Sequence, residues 1–280
     1  MSDRRSIDTG TDYLLGWVED GVAVLSFNRP ERRNALHADM YRGFAMALPV
    51  IAEDPGVGAL VITGEGGAFC AGGDVKGFSE GHAKAASADR PAPSAAASID
   101  NLRARQAEVS LAIHRLPKVT IAAIPGAAAG AGLSIALACD LRVVSSKAVI
   151  TTAFAKIGAS GDFGGSWFLT QLVGSAKAKE LYLLSDRLTA ADAERLGIAN
   201  RVIDDASFPN GWMDFARRIA SGPTLANRAI KENINRALVA DLATCLDAEA
   251  VNMVATMSTA DHREATAAFM EKRDAKFSGR

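Results

Sequence analysis

Two short loops rich in small residues carry the strongest chemical signal in this chain. The first is Phe69-Cys70-Ala71-Gly72-Gly73-Asp74, and the second runs from Gly126 to Gly132 with only glycine and alanine in it. Each follows an apolar, strand-like run, at residues 59–62 and 119–124 respectively. Small residues leave the backbone N–H groups accessible to a ligand. If the loops are adjacent, two amides can point at one oxygen atom, which is the arrangement of an oxyanion hole.

Both loops can also be explained without an oxyanion hole. The first loop also fits a tight strand-to-helix turn, and the second fits close packing of a helix against a strand. Glycine loops at helix N-termini bind phosphates as well. However, the second loop does not have Gly-x-Gly-x-x-Gly spacing, no acidic residue is placed for a ribose, and no Lys-Ser pair of the P-loop kind follows it. This pattern argues against a nucleotide cofactor.

Composition narrows the class of protein. The 280 residues are 49% hydrophobic and 22% charged, which indicates one large domain, or one domain with a helical appendage. A net charge of −1 gives no electrostatic reason to expect nucleic acid or an anionic membrane as a partner. The three cysteines and four histidines show no metal-like spacing, so no metal site is expected and a reducing cytoplasm is favoured. No signal peptide or membrane-spanning run is recognised.

Periodicity predicts β/α units followed by helices. Asp20-Gly21 predicts a hairpin between strands Leu14–Glu19 and Val22–Phe27. The other expected elements are a helix over 34–52 that Pro49 kinks or ends, strands at 58–63, 119–124, 141–145 and 148–152, helices from about 99 to 116, at 133–139, from about 166, at 176–184 and at 190–196, and four helices at about 208–220, 224–238, 241–257 and 261–274. We therefore expect a core over 1–207, containing a mobile Ala/Ser/Gly/Pro-rich loop at 79–98, and a helical region over 208–280.

Several motifs together resemble the crotonase (enoyl-CoA hydratase/isomerase) superfamily, from about Leu14 to the C-terminus. They are Asn28-Arg29-Pro30 with Asn34-Ala35-Leu36, Gly67 to Asp74, the Gly/Ala loop continued to Asp140, Phe154 to Gly158 with Gly164-Gly165, and Ala268 to Arg273. The resemblance implies an α/β spiral of ββα units with a helical C-terminal trimerisation region, in trimers that often pair as hexamers.

The resemblance also implies a substrate and an oxyanion hole. The substrate is an acyl-CoA thioester, whose coenzyme A belongs to the substrate, so no separate cofactor is expected. The enolate oxygen is expected to bind the main-chain amides of Ala71 and Ala131. A helix beginning near Gly132 would add the positive end of its dipole. Donors of this kind contribute about 3–4 kcal/mol each to a transition state in a dry site.

The side chains that select the reaction depart from the hydratase pattern. Hydratases of the superfamily carry glutamates at the positions of Ser134 and Phe154. Ser134 cannot act as a base unaided, and its structural reading is a helix residue bonded to its own backbone. Phe154 can only shape or dry the pocket.

Asp162 is the remaining candidate acid/base, in a glycine-rich stretch at 159–166. Isomerases of the superfamily, including phenylacetate-pathway and dienoyl-CoA isomerases, are similar in having an aspartate here. An aspartate facing Phe154 and Phe163 should have a raised pKa, and one carboxylate suffices for a 1,3-proton shift. The alternative is a turn aspartate with no catalytic role.

Further substrate contacts follow from the resemblance. Arg32 matches a basic position along the coenzyme A, and Phe269 and Lys272 match residues that meet the adenine and a phosphate of a neighbouring subunit's ligand. The expected binding residues are Arg32, Ala68, Gly72, Gly73, Asp74, Val75, Gly130, Ser134, Phe154, Phe269 and Lys272.

Three rival functions stay open beside the isomerase. The first is a hydratase whose water is held by Asp162 and Ser134. The second is a catalytically silent acyl-CoA binder. The third is hydrolysis or dehalogenation through a covalent aspartyl ester.

Overall fold

The computed structural model describes residues 4–74 and 94–280, and within them two β-sheets run side by side along the core. The larger sheet has the order β1-β2-β3-β4-β6-β8-β11 and the smaller one β10-β9-β7-β5. The strands are β1 Arg5–Ser6, β2 Leu14–Glu19, β3 Val22–Phe27, β4 Ala59–Gly64, β5 Ala68–Cys70, β6 Val119–Ile124, β7 Ala127–Ala129, β8 Leu141–Ser145, β9 Val149–Thr151, β10 Leu188–Thr189 and β11 Arg201–Ile203.

Consecutive strands alternate between the sheets. β4, β6 and β8 are parallel neighbours in the larger sheet, while the strands that follow them, β5, β7 and β9, are parallel neighbours in the smaller one. Each ββα unit therefore adds one strand to each sheet and winds once around the core. This is the predicted spiral.

Ten α-helices cover the sheets or follow them in the described residues. They are α1 Ala38–Glu53, α2 Ala95–Gln106, α3 Ala112–Arg115, α4 Ala131–Ala138, α5 Gly165–Leu184, α6 Ala190–Arg195, α7 Phe208–Ala220, α8 Thr224–Ala237, α9 Leu242–Met257 and α10 Ala260–Glu271. A π-helical turn, Ala107–Leu111, joins α2 to α3, and α5 is interrupted at Gly174, where φ is +76°. The predicted helical C-terminal region is confirmed. None of these helices is both long and apolar enough to cross a bilayer.

The core explains why the elements pack as they do. Phe27, Phe44 and Phe69 are fully buried and meet edge to face between the sheets and α1. On the other face of the larger sheet, Phe208 and Met213 of α7 close a second apolar cluster.

Three boundary predictions need correction. The helix predicted over 34–52 begins only at Ala38, because Asn34 is buried with φ of +58° and serves the preceding turn. Pro49 does not end that helix, which continues to Glu53 with Leu48 and Ile51 buried beside the proline. Residues 95–98 of the predicted loop belong to α2, capped by Ser94, whereas 79–93 lie outside the described residues.

Candidate active site

The two glycine/alanine loops meet because they leave neighbouring parallel strands. β5 pairs with β7, with Ala68 opposite Ala127 and Cys70 opposite Ala128. The carboxyl ends of adjacent parallel strands lie at the same edge of a sheet. The residues after Cys70 and those after Ala129 therefore emerge side by side.

Gly72 is in contact with the start of helix α4. Its φ of +87° favours glycine, and a Cβ there would lie 2.7 Å from the Ala129 carbonyl oxygen and 3.3 Å from the Ala131 amide nitrogen. Only a residue without a side chain allows this approach. The predicted adjacency of the two loops is thus observed.

The amides of the first loop are not equivalent. Ala71 donates its N–H to the Arg33 carbonyl at 3.0 Å, so the prediction that the Ala71 amide serves the oxyanion hole is wrong. Burial raises the pKa of the Cys70 thiol to about 12 overall, although the Gly72 amide lies near this thiol and lowers its pKa. Gly73 forms a parallel bridge with Leu36, in which the Leu36 amide donates to the Gly72 carbonyl at 2.8 Å. In that pattern the Gly73 amide points away from Leu36, and within the described residues it has no acceptor.

The second amide belongs to Ala131, the first residue of α4. Gly130, with φ of +53°, precedes it, and all eight residues of the helix are buried. The first N–H groups of a helix have no intrahelical acceptor, and none is found for Ala131 in the part of the chain that the structure describes. Within the described residues the amides of Ala131 and Gly73 are therefore available to a ligand, whereas that of Ala71 is not.

A buried asparagine holds the first loop in position. Asn34 donates from its side-chain amide to the carbonyls of Glu65 and Ala68, at 2.9 and 2.7 Å, and accepts from the Arg29 amide at 2.8 Å. These bonds tie the turn after β3 to the start of β5. They give a physical reason for the Asn28-Arg29-Pro30…Asn34 pattern.

Asp162 lies in a sharply folded turn before α5. Gly161, Phe163 and Gly164 all have positive φ, and the Phe163 amide donates to the Gln106 side chain at 2.9 Å. Burial raises the pKa of the half-buried Asp162 carboxyl to about 6. Its Oδ1 is buried and has no hydrogen-bond partner among the described residues.

Ser134 and Phe154 lie against Gly165 and Gly161, the glycines on either side of Asp162 in this turn. The Ser134 hydroxyl donates to the Gly130 carbonyl of its own helix at 3.3 Å, as its structural reading predicts. Phe154 is 7% exposed and lies 3.8 Å from where a Gly130 side chain would begin. The phenyl ring therefore dries the region between the second loop and Asp162.

Two tyrosines near Asp162 were not predicted as site residues from the sequence. Tyr182 stacks on Phe154 with centroids 5.9 Å apart, and Tyr41 stacks on Phe163 at 5.7 Å. Burial raises the pKa of each to about 12, and the nearby Asp162 charge also raises both. Tyr41 and Tyr182 are 121 and 20 residues from Asp162 in sequence, and no local pattern marked either phenol.

The residues expected to contact coenzyme A lie in two separate regions of the chain. Asp74 pairs with Arg29 at 3.0 Å and Arg32 is half-buried nearby, whereas Phe269 is 82% exposed at the end of α10, followed by an exposed Lys272. Phe269 thus packs little against its own chain. Val75 lies outside the described residues.

Two cavities of about 760 and 640 Å³ lie between the start of α5 and helix α8. Trp167 and Phe168 line both, and the larger also reaches Phe163 and Gly164, directly after Asp162. Neither lining includes the Ala131 amide, so the amides and Asp162, rather than cavity size, define the candidate site. No cluster of three potential metal ligands occurs in residues 4–74 and 94–280.

The two-sheet spiral, with two small-residue loops in contact at one edge of the smaller sheet, defines an α/β protein built of ββα units. The sequence model of the enoyl-CoA hydratase/isomerase family matches residues 18–280. The chain belongs to this family, and it is an acyl-CoA enzyme of the crotonase superfamily.

Individual relatives cover nearly the whole chain. It is 34% identical over 269 residues to the 1,2-epoxyphenylacetyl-CoA isomerase of Escherichia coli K12, covering 96% of this chain and 99% of that one. It is 32% identical to a short-chain-enoyl-CoA hydratase of Clostridium acetobutylicum, covering 91% and 93%. The crystal structure of an enoyl-CoA hydratase from Polaromonas sp. JS666 superposes with a TM-score of 0.86 at 31% identity, covering 94% and 99%.

Proposed function

We propose that this enzyme shifts a double bond in an enoyl-CoA, with Asp162 as the single acid/base. The observation that carries the proposal is the Asp162 carboxyl itself. It is half-buried, its pKa is raised to about 6, and its Oδ1 has no partner in the described residues. Asp74, the other carboxylate next to the loops, is paired with Arg29.

The proton shift needs one base and one anion site. Asp162, mostly ionised at neutral pH, removes a proton from the acyl chain next to the thioester or one vinylogous position away. The electron pair moves onto the thioester oxygen, where the Ala131 and Gly73 amides stabilise the negative charge. The protonated Asp162 then returns the proton at the other end of the allylic system. No bond to water forms, so a second carboxylate is unnecessary.

The surroundings of Asp162 favour this reaction over hydration. Ser134 is already bonded to the Gly130 carbonyl, and Phe154 offers no proton-transfer group. The larger cavity continues past Phe163 and Gly164 and gives an acyl chain space beyond Asp162. The E. coli relative is named as an isomerase of 1,2-epoxyphenylacetyl-CoA, which supports a conjugated or ring-bearing acyl group here.

The test is spectroscopic. Incubation with a 3-enoyl-CoA should raise the absorbance of the conjugated 2-enoyl thioester, and Asp162→Asn should lower kcat by about 10²–10⁴-fold. Asp186→Asn, a change at an exposed carboxylate, is the matched control and should retain activity. Loss of 2-enoyl absorbance that survives Asp162→Asn would instead indicate hydration without this base.

Two further experiments distinguish the proposed reaction from a silent acyl-CoA binder and from an aspartyl-ester mechanism. A silent acyl-CoA binder would bind the thioester but exchange no acyl protons with deuterated water. An aspartyl-ester mechanism would place labelled water oxygen in Asp162 after a single turnover. The proposed reaction requires proton exchange and leaves Asp162 unlabelled.

The coenzyme A moiety is proposed to run along Arg32 and the first loop, and no other cofactor is required. Its adenine end is proposed to meet Phe269 and Lys272 of a neighbouring subunit, because Phe269 is too exposed to be packing in its own chain. The C-terminal helices support a trimer, alone or paired as a hexamer, because they expose many apolar side chains. These are Ile230, Ile234, Val239, Leu242, Leu246, Val251, Met253, Val254, Met257, Phe269 and Met270.

A further inference from the structure

A buried serine hydroxyl without a partner lies at the wall of the larger cavity. Ser110 is 4% exposed, and its Oγ is buried with no hydrogen-bond partner in the described part of the chain. The same residue lines the cavity of about 760 Å³. A buried hydroxyl that makes no hydrogen bond lowers stability. Beside an open cavity, this hydroxyl is placed to meet a polar atom of a ligand.

The backbone around Ser110 is irregular as well. Ser110 belongs to the π-helical turn Ala107–Leu111, a kind of local widening that is frequent at functional sites. Gln106, the residue before this turn, accepts a hydrogen bond from the Phe163 amide at 2.9 Å. Ser110 thus lies one helical turn, about 5 Å, further along the helix than the contact with the Asp162 turn. An acyl chain that passes Asp162 into the cavity reaches Ser110 with carbons that are remote from the thioester.

Positive charge predominates among the described residues that line the cavity. Glu232 is the only acidic side chain among them, and it pairs with Arg228 at 2.8 Å. Neither Arg115 nor Arg236 forms an ion pair within residues 4–74 and 94–280. A ligand group with negative charge is therefore favoured over a positive one. The basic residues of the lining are Arg103, Arg115, Arg228, Lys231 and Arg236.

Lys231 is the buried member of this basic set. It is 9% exposed, and its Nζ pairs with Asp140 at 2.8 Å and donates to the Lys118 carbonyl at 3.1 Å. An ammonium group has three donors, and the described residues take two of them. One donor of Lys231 is left for a group in the cavity.

The remaining lining suits a carbon chain. Trp167 and Phe168 both line the cavity and meet the His114 ring edge to face, with centroids 5.6 and 5.4 Å away. Phe163 lines it next to Asp162. The cavity therefore offers apolar contacts to the body of an acyl group as well as polar contacts to its end.

We propose that Ser110 and the basic lining of this cavity form a subsite for a carboxylate at the far end of the acyl group. The substrate class is then the mono-CoA thioester of an unsaturated dicarboxylic acid, rather than a plain fatty enoyl-CoA. The Ser110 hydroxyl donates to one carboxylate oxygen, while Lys231 and the arginines offset its charge. The inference deepens the proposed function and rests on it for the passage of the acyl chain from Asp162 into the cavity.

Binding of saturated thioesters, which have no double bond to shift, tests the subsite. Calorimetry would compare hexanoyl-CoA with hexanedioyl-CoA, and octanoyl-CoA with octanedioyl-CoA. The wild type should bind the diacid thioester of at least one length about tenfold more tightly than the monoacid of the same length, as expected for a charge-assisted hydrogen bond. A ratio of one or less at both lengths would overturn the subsite.

Ser110→Ala should reduce the diacid-to-monoacid ratio to about two and change the monoacid affinity less than about twofold. Its melting temperature should not fall, because the lost hydroxyl has no partner among the described residues. Ser98→Ala, at an exposed position of α2, is the matched control and should leave the ratio unchanged. An unchanged ratio in Ser110→Ala would overturn the subsite, whatever the melting temperature.

The charge of the ligand group is tested separately. The ω-hydroxy thioester of the same length has a neutral polar end and should bind about fivefold less tightly than the diacid. Salt at about 0.5 M should lower the diacid-to-monoacid ratio, because both ligands carry the same coenzyme A phosphates and only the carboxylate differs. Equal affinities of the hydroxy and diacid thioesters would overturn the assignment of a carboxylate.

Turnover distinguishes this subsite from the proposed function. If the binding ratio holds while neither 3-hexenoyl-CoA nor 3-hexenedioyl-CoA is isomerised, the proposed function fails and the subsite stands. If both are isomerised with the same kcat/KM and the binding ratio is absent, the proposed function stands and the subsite fails.

Discussion

Gly72 and Ala131 lie so close together that a Cβ added to Gly72 would come within 3.3 Å of the Ala131 amide nitrogen. The contact joins two loops that are about sixty residues apart in sequence, and it depends on the β5–β7 pairing that delivers them. The space in front of this amide is therefore controlled by the absence of a side chain at position 72.

Replacement of Gly72 should damage turnover more than stability. Gly72→Ala adds a methyl group against the Ala129 carbonyl and the Ala131 amide and should lower kcat about 10²–10³-fold, as loss of one oxyanion donor does. Gly67→Ala is the matched control, because Gly67 also has a positive φ, +79°, but nothing within 4 Å of its Cβ position. Both changes should destabilise the fold by about 1–2 kcal/mol through backbone strain. Equal kcat losses in the two variants would refute the contact argument.

Titration of Asp162 should make the turnover rate fall at acidic pH. The carboxylate form acts as the base, and its pKa is raised to about 6 by burial. The turnover of a 3-enoyl-CoA should therefore fall tenfold per pH unit below about pH 6 and stay level above it. A rate that remains constant down to pH 4.5 would show that the group in use has an ordinary carboxyl pKa.

The same group should make the protein less stable at neutral pH. Because the pKa of Asp162 is higher in the folded state than the ordinary value of 3.8, the folded state binds the proton more tightly. The stabilisation from protonation is fully present below about pH 4 and is lost as pH rises through about 6. Asp162→Asn should then be more stable than the wild type by roughly 1–3 kcal/mol at pH 7, discounted for partial exposure, and about equal to it near pH 4. Urea unfolding at the two pH values measures the difference.

Local signals were enough to predict much of the fold. The Asp20-Gly21 turn fixed the hairpin Leu14–Glu19 and Val22–Phe27 to the residue, because a two-residue turn sets the register of both strands. The C-terminal helices also have the expected order and nearly the expected bounds. In contrast, β5 and β7 have three residues each, too few for a periodicity to appear, although they bring the loops together.

The site was harder to predict, because it depends on long-range partners. The sequence of the first loop cannot show that the Arg33 carbonyl takes the Ala71 amide, since 38 residues separate them. The same holds for Tyr182, whose relation to Asp162 passes through Gly161 and Gly165. The raised pKa of Asp162 could be predicted, because its neighbours in sequence, glycines and phenylalanines, are also its neighbours in space.

Asn34 should be essential for the first loop. It is fully buried, and Asn34→Ala leaves the Arg29 amide and the carbonyls of Glu65 and Ala68 without partners. The free energy of unfolding should fall by about 2–4 kcal/mol, and affinity for acyl-CoA should fall with it. Asn101→Ala, on an exposed face of α2, should change stability by less than about 0.5 kcal/mol. A similar small effect of Asn34→Ala would show that the loop is held by other contacts.

The apolar surface of α9 should be the site of subunit association. Val251 and Val254 are 70% and 67% exposed on this helix, and a monomer gains nothing by presenting such a surface to water. Val254→Glu would place a charge where a second subunit must exclude water, and burial of an unpaired carboxylate is costly. Native mass spectrometry should show the trimer or hexamer of the wild type shifting to monomer, with the monomer's melting temperature lower than that of the assembly.

Val50→Glu introduces the same charge at a 53% exposed position on α1 and should leave the assembly intact. A wild-type protein that is monomeric at micromolar concentration would contradict this prediction outright, and it would also remove the proposed contribution of Phe269 and Lys272 to a neighbour's coenzyme A site.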